Sequence, residues 1–260
     1  MLQAILYVGH GSRMKEGNEQ FIHFIHRLME QNDAPIQQYA FLEKAAPTFL
    51  QSFQRCVEKG ASVVTVVPIF LFSAGHVKND LRSLIEEAKL AYPHVVILCS
   101  EPIGPDERVV NILVERLQEK GALLYGNKND LDTRILLVGR GSSDKEQQAD
   151  FLKVVLLFLE RCPFFTVDYC FLAKAEPNFH EGLKLALKRK EKNVFVIPYL
   201  LFTGVLVKRM EAAIKQIRGQ TEKNIVLTDC LGYHPNIIQI VNDRLKVAKE
   251  ISYAELSVNA

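Results

Sequence analysis

No stretch of this chain approaches the roughly 18 consecutive apolar residues that a membrane-spanning helix needs, which argues against a membrane protein. Cysteine is sparse. Cys56, Cys99, Cys162, Cys170 and Cys230 include no C-x-x-C pair, so neither an iron-sulfur cluster nor a structural zinc site is indicated, and reduced thiols are the default. An excess of charge is missing too: 32 Lys and Arg nearly balance 30 Asp and Glu, and the formal net charge is +2. The basic residues are interspersed with acidic ones, which leaves no field to attract nucleic acid. No hydrophobic segment follows a basic start, because Arg13 and Lys15 come after the first apolar run, and a cytoplasmic protein is expected. What is present is an ordinary globular composition, 48% hydrophobic and 24% charged over 260 residues, sufficient for cores in two domains of typical size.

The chain repeats itself at an offset of 130 residues. Ile5-Leu6-Tyr7-Val8-Gly9-His10-Gly11-Ser12 lies over Ile135-Leu136-Leu137-Val138-Gly139-Arg140-Gly141-Ser142, and Tyr39-Ala40-Phe41-Leu42-Glu43-Lys44-Ala45 over Tyr169-Cys170-Phe171-Leu172-Ala173-Lys174-Ala175. Pro68 and Phe72 meet Pro198 and Phe202 in the same register. Within each half, short β-branched runs alternate with longer amphipathic segments, the pattern of βαβ units around a parallel sheet. Strands are expected at Ala4–Val8, Ile36–Phe41, Ser62–Pro68 and Val95–Cys99, then at Arg134–Val138, Thr166–Cys170, Asn193–Pro198 and Asn224–Asp229. Phe21, Phe24, Ile25, Leu28 and Met29 form a helical stripe matched by Phe151, Val154, Val155, Phe158 and Leu159. The last helix repeats as well, with Val109, Ile112, Leu113, Arg116 and Leu117 over Ile237, Ile240, Val241, Arg244 and Leu245, at an offset of 128. Gly121 to Thr133 loses apolar periodicity and carries turn residues, so it reads as the connection. The expectation is an α/β protein of two similar domains, residues 1–125 and 126–260, each a four-stranded parallel sheet flanked by helices, with a cleft between them.

His10, Glu43 and His76 each fall just beyond an expected strand of the first half, at the carboxyl edge where open α/β sheets bind ligands. The second half has Arg140, Ala173 and Leu206 there, a cation and two apolar groups that cannot hold a divalent ion. Two imidazoles and a carboxylate suit a first-row divalent metal and leave coordination positions open for a second reactant. Gly9 and Gly11 beside His10, and Gly75 beside His76, let the backbone turn sharply or approach a bound group. The plainer readings are tight turns for the glycines, a hydrogen-bonded loop residue for His10 and a surface ion pair with Lys44 for Glu43. Gly9-His10-Gly11-Ser12 before a helix could instead cradle a phosphate, but it lacks the full dinucleotide fingerprint and no acidic ribose partner follows the second strand. His23 and His26 fall between stripe positions and read as solvated, while His94, His180 and His234 lack companions on one edge. The apolar segments Phe70–Ala74 and Tyr199–Gly204 could form a slot for a flat ring, with Arg13, Lys44, Lys78 and Arg82 meeting acidic substituents at its rim; solvated charges are the plainer reading of those four.

Gly9-His10-Gly11-Ser12-Arg13, Val67-Pro68-Ile69-Phe70-Leu71 and Ala74-Gly75-His76 followed by Asp80-Leu81 resemble the class II tetrapyrrole chelatases, over nearly the whole chain. The chain is similar in particular to the long, internally duplicated sirohydrochlorin chelatases, whose second half carries a Gly-Arg-Gly-Ser-Ser motif, here Gly139 to Ser143. The resemblance implies insertion of a divalent metal into sirohydrochlorin, with His10 and His76 as active-site histidines and Glu43 as their acidic companion. The metal and the tetrapyrrole are then substrates, no organic cofactor is needed, and the duplicated halves supply both cleft walls in a monomer. Ser12, Arg13, Lys44, Lys78 and Arg140 are the residues expected to contact the tetrapyrrole. Some cobalt-inserting long members carry a histidine-rich stretch or a C-terminal cluster motif. The sequence through Ala260 has neither, which favours iron and siroheme synthesis over cobalt or nickel insertion. A non-catalytic divalent-metal carrier would need the same three ligands.

Overall fold

The computed structural model describes residues 2–72, 75–122 and 132–258, without the side chains of 75–76 and 251–258. The sequence-placed boundary at 125/126 lies outside the described residues. In the first repeat the elements are β1 (Gln3–Gly9), α1 (Lys15–Met29), β2 (Ile36–Phe41), α2 (Phe49–Glu58), β3 (Val63–Pro68), α3 (Gly75–Ala91), β4 (Val96–Cys99) and α4 (Glu107–Glu119). The second gives β5 (Thr133–Gly139), α5 (Lys145–Arg161), β6 (Thr166–Phe171), α6 (Phe179–Lys188), β7 (Asn193–Tyr199), α7 (Val205–Arg218), β8 (Asn224–Leu227) and α8 (Pro235–Val258). Strands begin and end within two residues of the expected positions; the inner strands β1, β3, β5 and β7 are buried nearly throughout and carry continuous apolar runs. No described helix is long and apolar enough to cross a membrane.

The strands form two parallel sheets in the orders β2-β1-β3-β4 and β6-β5-β7-β8. Alternation along β1 sends Ala4, Leu6 and Val8 to one face, where they join Phe49, Phe53 and Cys56 of α2 and Leu81 and Ala88 of α3 in one buried cluster. Gly9 belongs to the other face, and a Cβ there would meet the Phe21 ring of α1 at 2.6 Å. That ring also packs on Phe41, with centroids 5.0 Å apart. The stripe expected from sequence is this buried face: Phe21, Phe24, Ile25 and Leu28 are at most 4% exposed. Thr48 and Gln51 close a capping box at the start of α2, satisfying backbone groups that would otherwise be left open.

The compact units do not follow the repeats. One comprises Met1–Gly104 with Pro235–Ala260, and the other comprises Pro105–His234. The last helix of each repeat therefore belongs to the unit built from the other repeat. In the first unit α8 packs on β3 and β4, and Asn242 exchanges hydrogen bonds with Asn32 (3.0 Å) and Gln31 (3.3 Å) near the end of α1. Arg244 donates to the Ile103 carbonyl beyond β4 at 3.2 Å. In the second unit α4 packs on α5 and β7, and Arg116 donates to the Cys230 and Leu231 carbonyls beyond β8 at 2.9 and 3.0 Å. Glu115 meets His234 at 2.7 Å. The repeat match of Arg116 with Arg244 thus reports a shared duty: each holds the turn after its unit's last strand.

The amino ends of the two sheets differ. Arg134 and Glu191, at 5% and 3% exposure, form a buried pair with Nε and Nη2 on the two carboxylate oxygens at 3.0 and 3.2 Å, and Nη1 of Arg134 reaches Asp168 at 2.5 Å. The first repeat has Ala4, Ala61 and Gln38 at these places. Burial pushes the Glu191 carboxyl up, but the hydrogen bonds and charge of Arg134 outweigh it and hold the group below its ordinary value. Glu191→Gln should cost about 1.5 to 3 kcal/mol in urea unfolding, since it leaves Asp168 as the one carboxylate compensating a buried guanidinium, whereas Arg134→Met with Glu191→Leu should recover most of that loss. A carboxyl held low contributes stability that is complete above its unfolded pKa and is lost as pH falls through the folded value. Glu191→Gln should accordingly flatten the acid side of the stability profile.

Candidate active site

The order β2-β1-β3 sets the site. β1 lies between β2 and β3, so the segments leaving β2, β1 and β3, which carry Glu43, His10 and His76, emerge from adjacent strands on one edge. Between β1 and β3 the strand order reverses direction, and this is the switch point at which open α/β sheets bind ligands. Pairing of β1 with β2 continues past both strands: Leu42 N–H donates to Gly9 O at 2.9 Å and Glu43 N–H to His10 O at 3.1 Å. This locks the two side chains together, with His10 Nε2 3.1 Å from Glu43 Oε1. Both remain accessible, the side chains being 30% and 48% exposed.

Gly11 allows that approach. Its φ is +88°, and a Cβ on it would stand 1.8 Å from the Glu43 carbonyl oxygen, so any side chain would collide with fixed backbone. The same oxygen accepts from Ala45 N–H at 2.9 Å, closing a three-residue turn with Lys44 at its centre, φ +64°. Lys44 Nζ folds back onto Glu43 Oε1, the oxygen that faces His10. The second unit keeps this backbone and loses the chemistry. Gly141 has φ +81° with a Cβ 2.0 Å from Ala173 O, Ala173 N–H donates to Arg140 O at 3.0 Å, and Lys174 has φ +55°.

His76 lies in the first turn of α3, and its side chain is outside the described residues. Among the described residues no three His, Cys, Asp or Glu come together as a metal-holding group; of the three expected ligands, His10 and Glu43 have their side chains brought together. Ser12 has a duty in its turn: its hydroxyl accepts from Met14 N–H at 3.0 Å and its backbone is bracketed by Asn18 at 2.8 and 2.9 Å. Arg13 and Arg140 are exposed, and Arg140 forms no ion pair among the described residues. Lys78 and Arg82 border a cavity of about 430 Å³ beyond the carboxyl ends of β3 and β4, floored by Pro68, Phe70, Val77 and Leu81. Its volume is of the order that small-molecule sites use. His23 and His26 are exposed, as read from sequence, and His94 and His180 are exposed as well. The ion pair of His234 with Glu115 escaped that reading, since the two are 119 residues apart and belong to different repeats.

The cysteines are all free. Burial pushes the thiols of Cys56, Cys170 and Cys230 up to about 12, which keeps them protonated and unreactive at neutral pH.

A family model described as CbiX matches residues 4–120 and again 134–248. A sirohydrochlorin ferrochelatase of Priestia megaterium is 42% identical over 94% of this chain and 90% of its own length. A sirohydrochlorin cobaltochelatase of the same organism is 38% identical, over 96% and 81%. Among solved structures, SirB from Bacillus subtilis with Fe3+ superposes with a TM-score of 0.86 at 33% identity, covering 98% of each chain.

Gly11→Ala should cost at least about 1 to 3 kcal/mol in urea unfolding of the first unit, since the substitution adds left-handed strain to a backbone collision. Retained wild-type stability would show that the β1 and β2 loops can separate without penalty.

Proposed function

The chain belongs to the CbiX family, and from that premise we propose that it is a chelatase that inserts a divalent metal ion into the tetrapyrrole sirohydrochlorin, with ferrous iron as the natural substrate and siroheme as the product. The observation that carries the reading is the juxtaposition of His10 Nε2 and Glu43 Oε1 at 3.1 Å beside the switch point of the first sheet, with His76 opening α3 on the neighbouring strand. The iron relative's higher identity, 42% against 38% for the cobalt relative, supports iron.

Insertion replaces two pyrrolic protons of the free-base ring by one M2+ ion, so each turnover releases two protons and leaves the ring's charge unchanged. The protein must hold the ion loosely, present it to the ring nitrogens and accept protons. His10, Glu43 and His76 guide the ion from one face, with borderline nitrogen donors and one anionic oxygen. An imidazole with an ordinary pKa of about 6.5 can pass protons on to solvent near neutrality. The cavity's apolar lining of Pro68, Phe70, Val77 and Leu81 suits an apolar ring edge, and Lys78 on its border suits a carboxylate, while Arg82 is already paired with Glu86 at 3.0 Å. Arg140, exposed and without an ion pair among the described residues, offers a second cation for a substrate carboxylate.

Initial rates of the absorption change of sirohydrochlorin with Fe2+, Co2+ and Ni2+ test the reading. A faster rate with Fe2+ is expected. Metal binding with an unchanged pigment spectrum would make the protein a carrier, and a decisive preference for Co2+ would remove iron. His10→Ala and His76→Ala should each abolish most insertion while leaving unfolding nearly unchanged, because both residues follow a strand of the sheet at its carboxyl edge, His10 partly exposed after β1 and His76 in the first turn of α3 after β3. Glu43→Gln should weaken metal binding. Full activity in any of the three removes that residue from the site.

Arg140→Ala separates the two substrates. It should weaken tetrapyrrole binding by about 1.5 to 3 kcal/mol, read as a raised KM, if one charged hydrogen bond is lost. Metal affinity without tetrapyrrole should not change, and its loss would mean that the second repeat holds metal after all.

A further inference from the structure

Lys44 and His10 both address one atom, Oε1 of Glu43. The ammonium is brought there by the three-residue turn that Ala45 N–H closes on the Glu43 carbonyl, and its side chain is 34% exposed. The second repeat supplies an internal control. Lys174 keeps the left-handed backbone but follows Ala173, so no carboxylate precedes it, and it forms no ion pair among the described residues. The left-handed backbone therefore does not need the ion pair, and the pair is a property of the repeat that carries His10 and Glu43.

We propose that Lys44 is a positioning residue that occupies the metal's place on Glu43, holding the carboxylate toward His10 until an arriving divalent cation displaces the ammonium. This rests on the reading of Glu43 as a metal ligand. The exchange is purely ionic: a +2 ion replaces a +1 group at Oε1, the ammonium moves into solvent, and no covalent bond changes. Its consequence is affinity. A carboxylate already compensated by an internal cation attracts a second cation less, because each gain of metal contact is offset by loss of the ammonium contact. A chelatase benefits from that weakness, since its metal must leave for the macrocycle in every cycle, and an ion bound too tightly in the ground state is delivered slowly. The competing ion pair is half-exposed, so its effect is modest and is screened by salt.

The test is titration of the full-length protein with Co2+ alone, at low and high salt, for the wild type, Lys44→Met, Lys44→Arg and Glu43→Gln, together with kcat and the KM of each substrate in the insertion assay. Lys44→Met should bind Co2+ roughly three- to tenfold tighter at low salt, with the gain shrinking in about 0.5 M salt as screening grows. The metal KM should fall and kcat should fall with it, while Lys44→Arg, which keeps the charge, should restore weak binding. In a Glu43→Gln background Lys44→Met should give no gain. Unchanged or weaker Co2+ binding in a folded Lys44→Met protein overturns the proposal, as does a rise in tetrapyrrole KM alone, which would make Lys44 a substrate contact. Failure of the underlying reading looks different: Glu43→Gln would then bind Co2+ and turn over like the wild type.

Discussion

The collision that Gly11 avoids governs the whole centre. The Glu43 carbonyl stands 1.8 Å from the place where a side chain on residue 11 would begin, so the loops leaving β1 and β2 can touch only if residue 11 has none. From that contact follow the hydrogen bonds that extend the β1–β2 pairing to His10 and Glu43, the approach of their side chains, and the turn that folds Lys44 onto the carboxylate. The second repeat has the same constraint at Gly141, where the clash would be at 2.0 Å. The backbone device is thus independent of the chemistry placed on it. Duplication copied a loop geometry, and the residues at 10 and 43 turned one copy into a candidate metal centre while Arg140 and Ala173 left the other without ligands.

Exchange of the last helices is the second constraint. Because α4 completes the unit of the second repeat and α8 that of the first, neither repeat contains all of its own core. The buried faces of these helices, Val109, Ile112, Leu113 and Leu117 in one and Ile237, Ile240, Val241 and Leu245 in the other, meet sheets far away in sequence. Arg116 and Arg244 fix the arrangement by holding the carbonyls beyond β8 and β4, where the chain is about to cross back or has just approached its crossing. Such long-range contacts are costly in chain entropy before they form, which ties folding of each unit to the presence of both repeats.

Much of this was legible in the residues, and the limits have physical causes. The inner strands could be read because strands buried on both faces carry continuous apolar runs, and helices because α1 and α5 bury one face each. Candidate site residues were legible as chemistry-bearing side chains placed just after strands; that Glu43, His10 and His76 leave adjacent strands required the observed order β2-β1-β3. Helix exchange was not legible, since amphipathic spacing reveals that α4 and α8 have an apolar face but not which sheet receives it. Nor was the buried pair of Arg134 and Glu191, whose partners are 57 residues apart and whose arginine sits at the start of an apolar run. His234 looked like a turn residue for the same reason: its partner Glu115 lies on the exchanged helix.

Metal transfer imposes opposing demands that the site's composition addresses. A structural metal centre closes its coordination shell with protein ligands, but an ion that must be given away has to arrive at a site that keeps positions open and releases it. On the proposed reading, two histidines and one carboxylate would supply few anionic ligands, and the ammonium that meets the carboxylate would lower the effective count further. Exposure of His10 and Glu43 works in the same direction, because water screens their attraction for a cation and competes for its coordination positions. The rigid part is elsewhere: buried strands, Gly11 and the bracketed Ser12 turn hold the backbone that presents these groups. Weak, accessible ligands on a fixed backbone would allow the ion to change partners without the protein reorganising around each transfer.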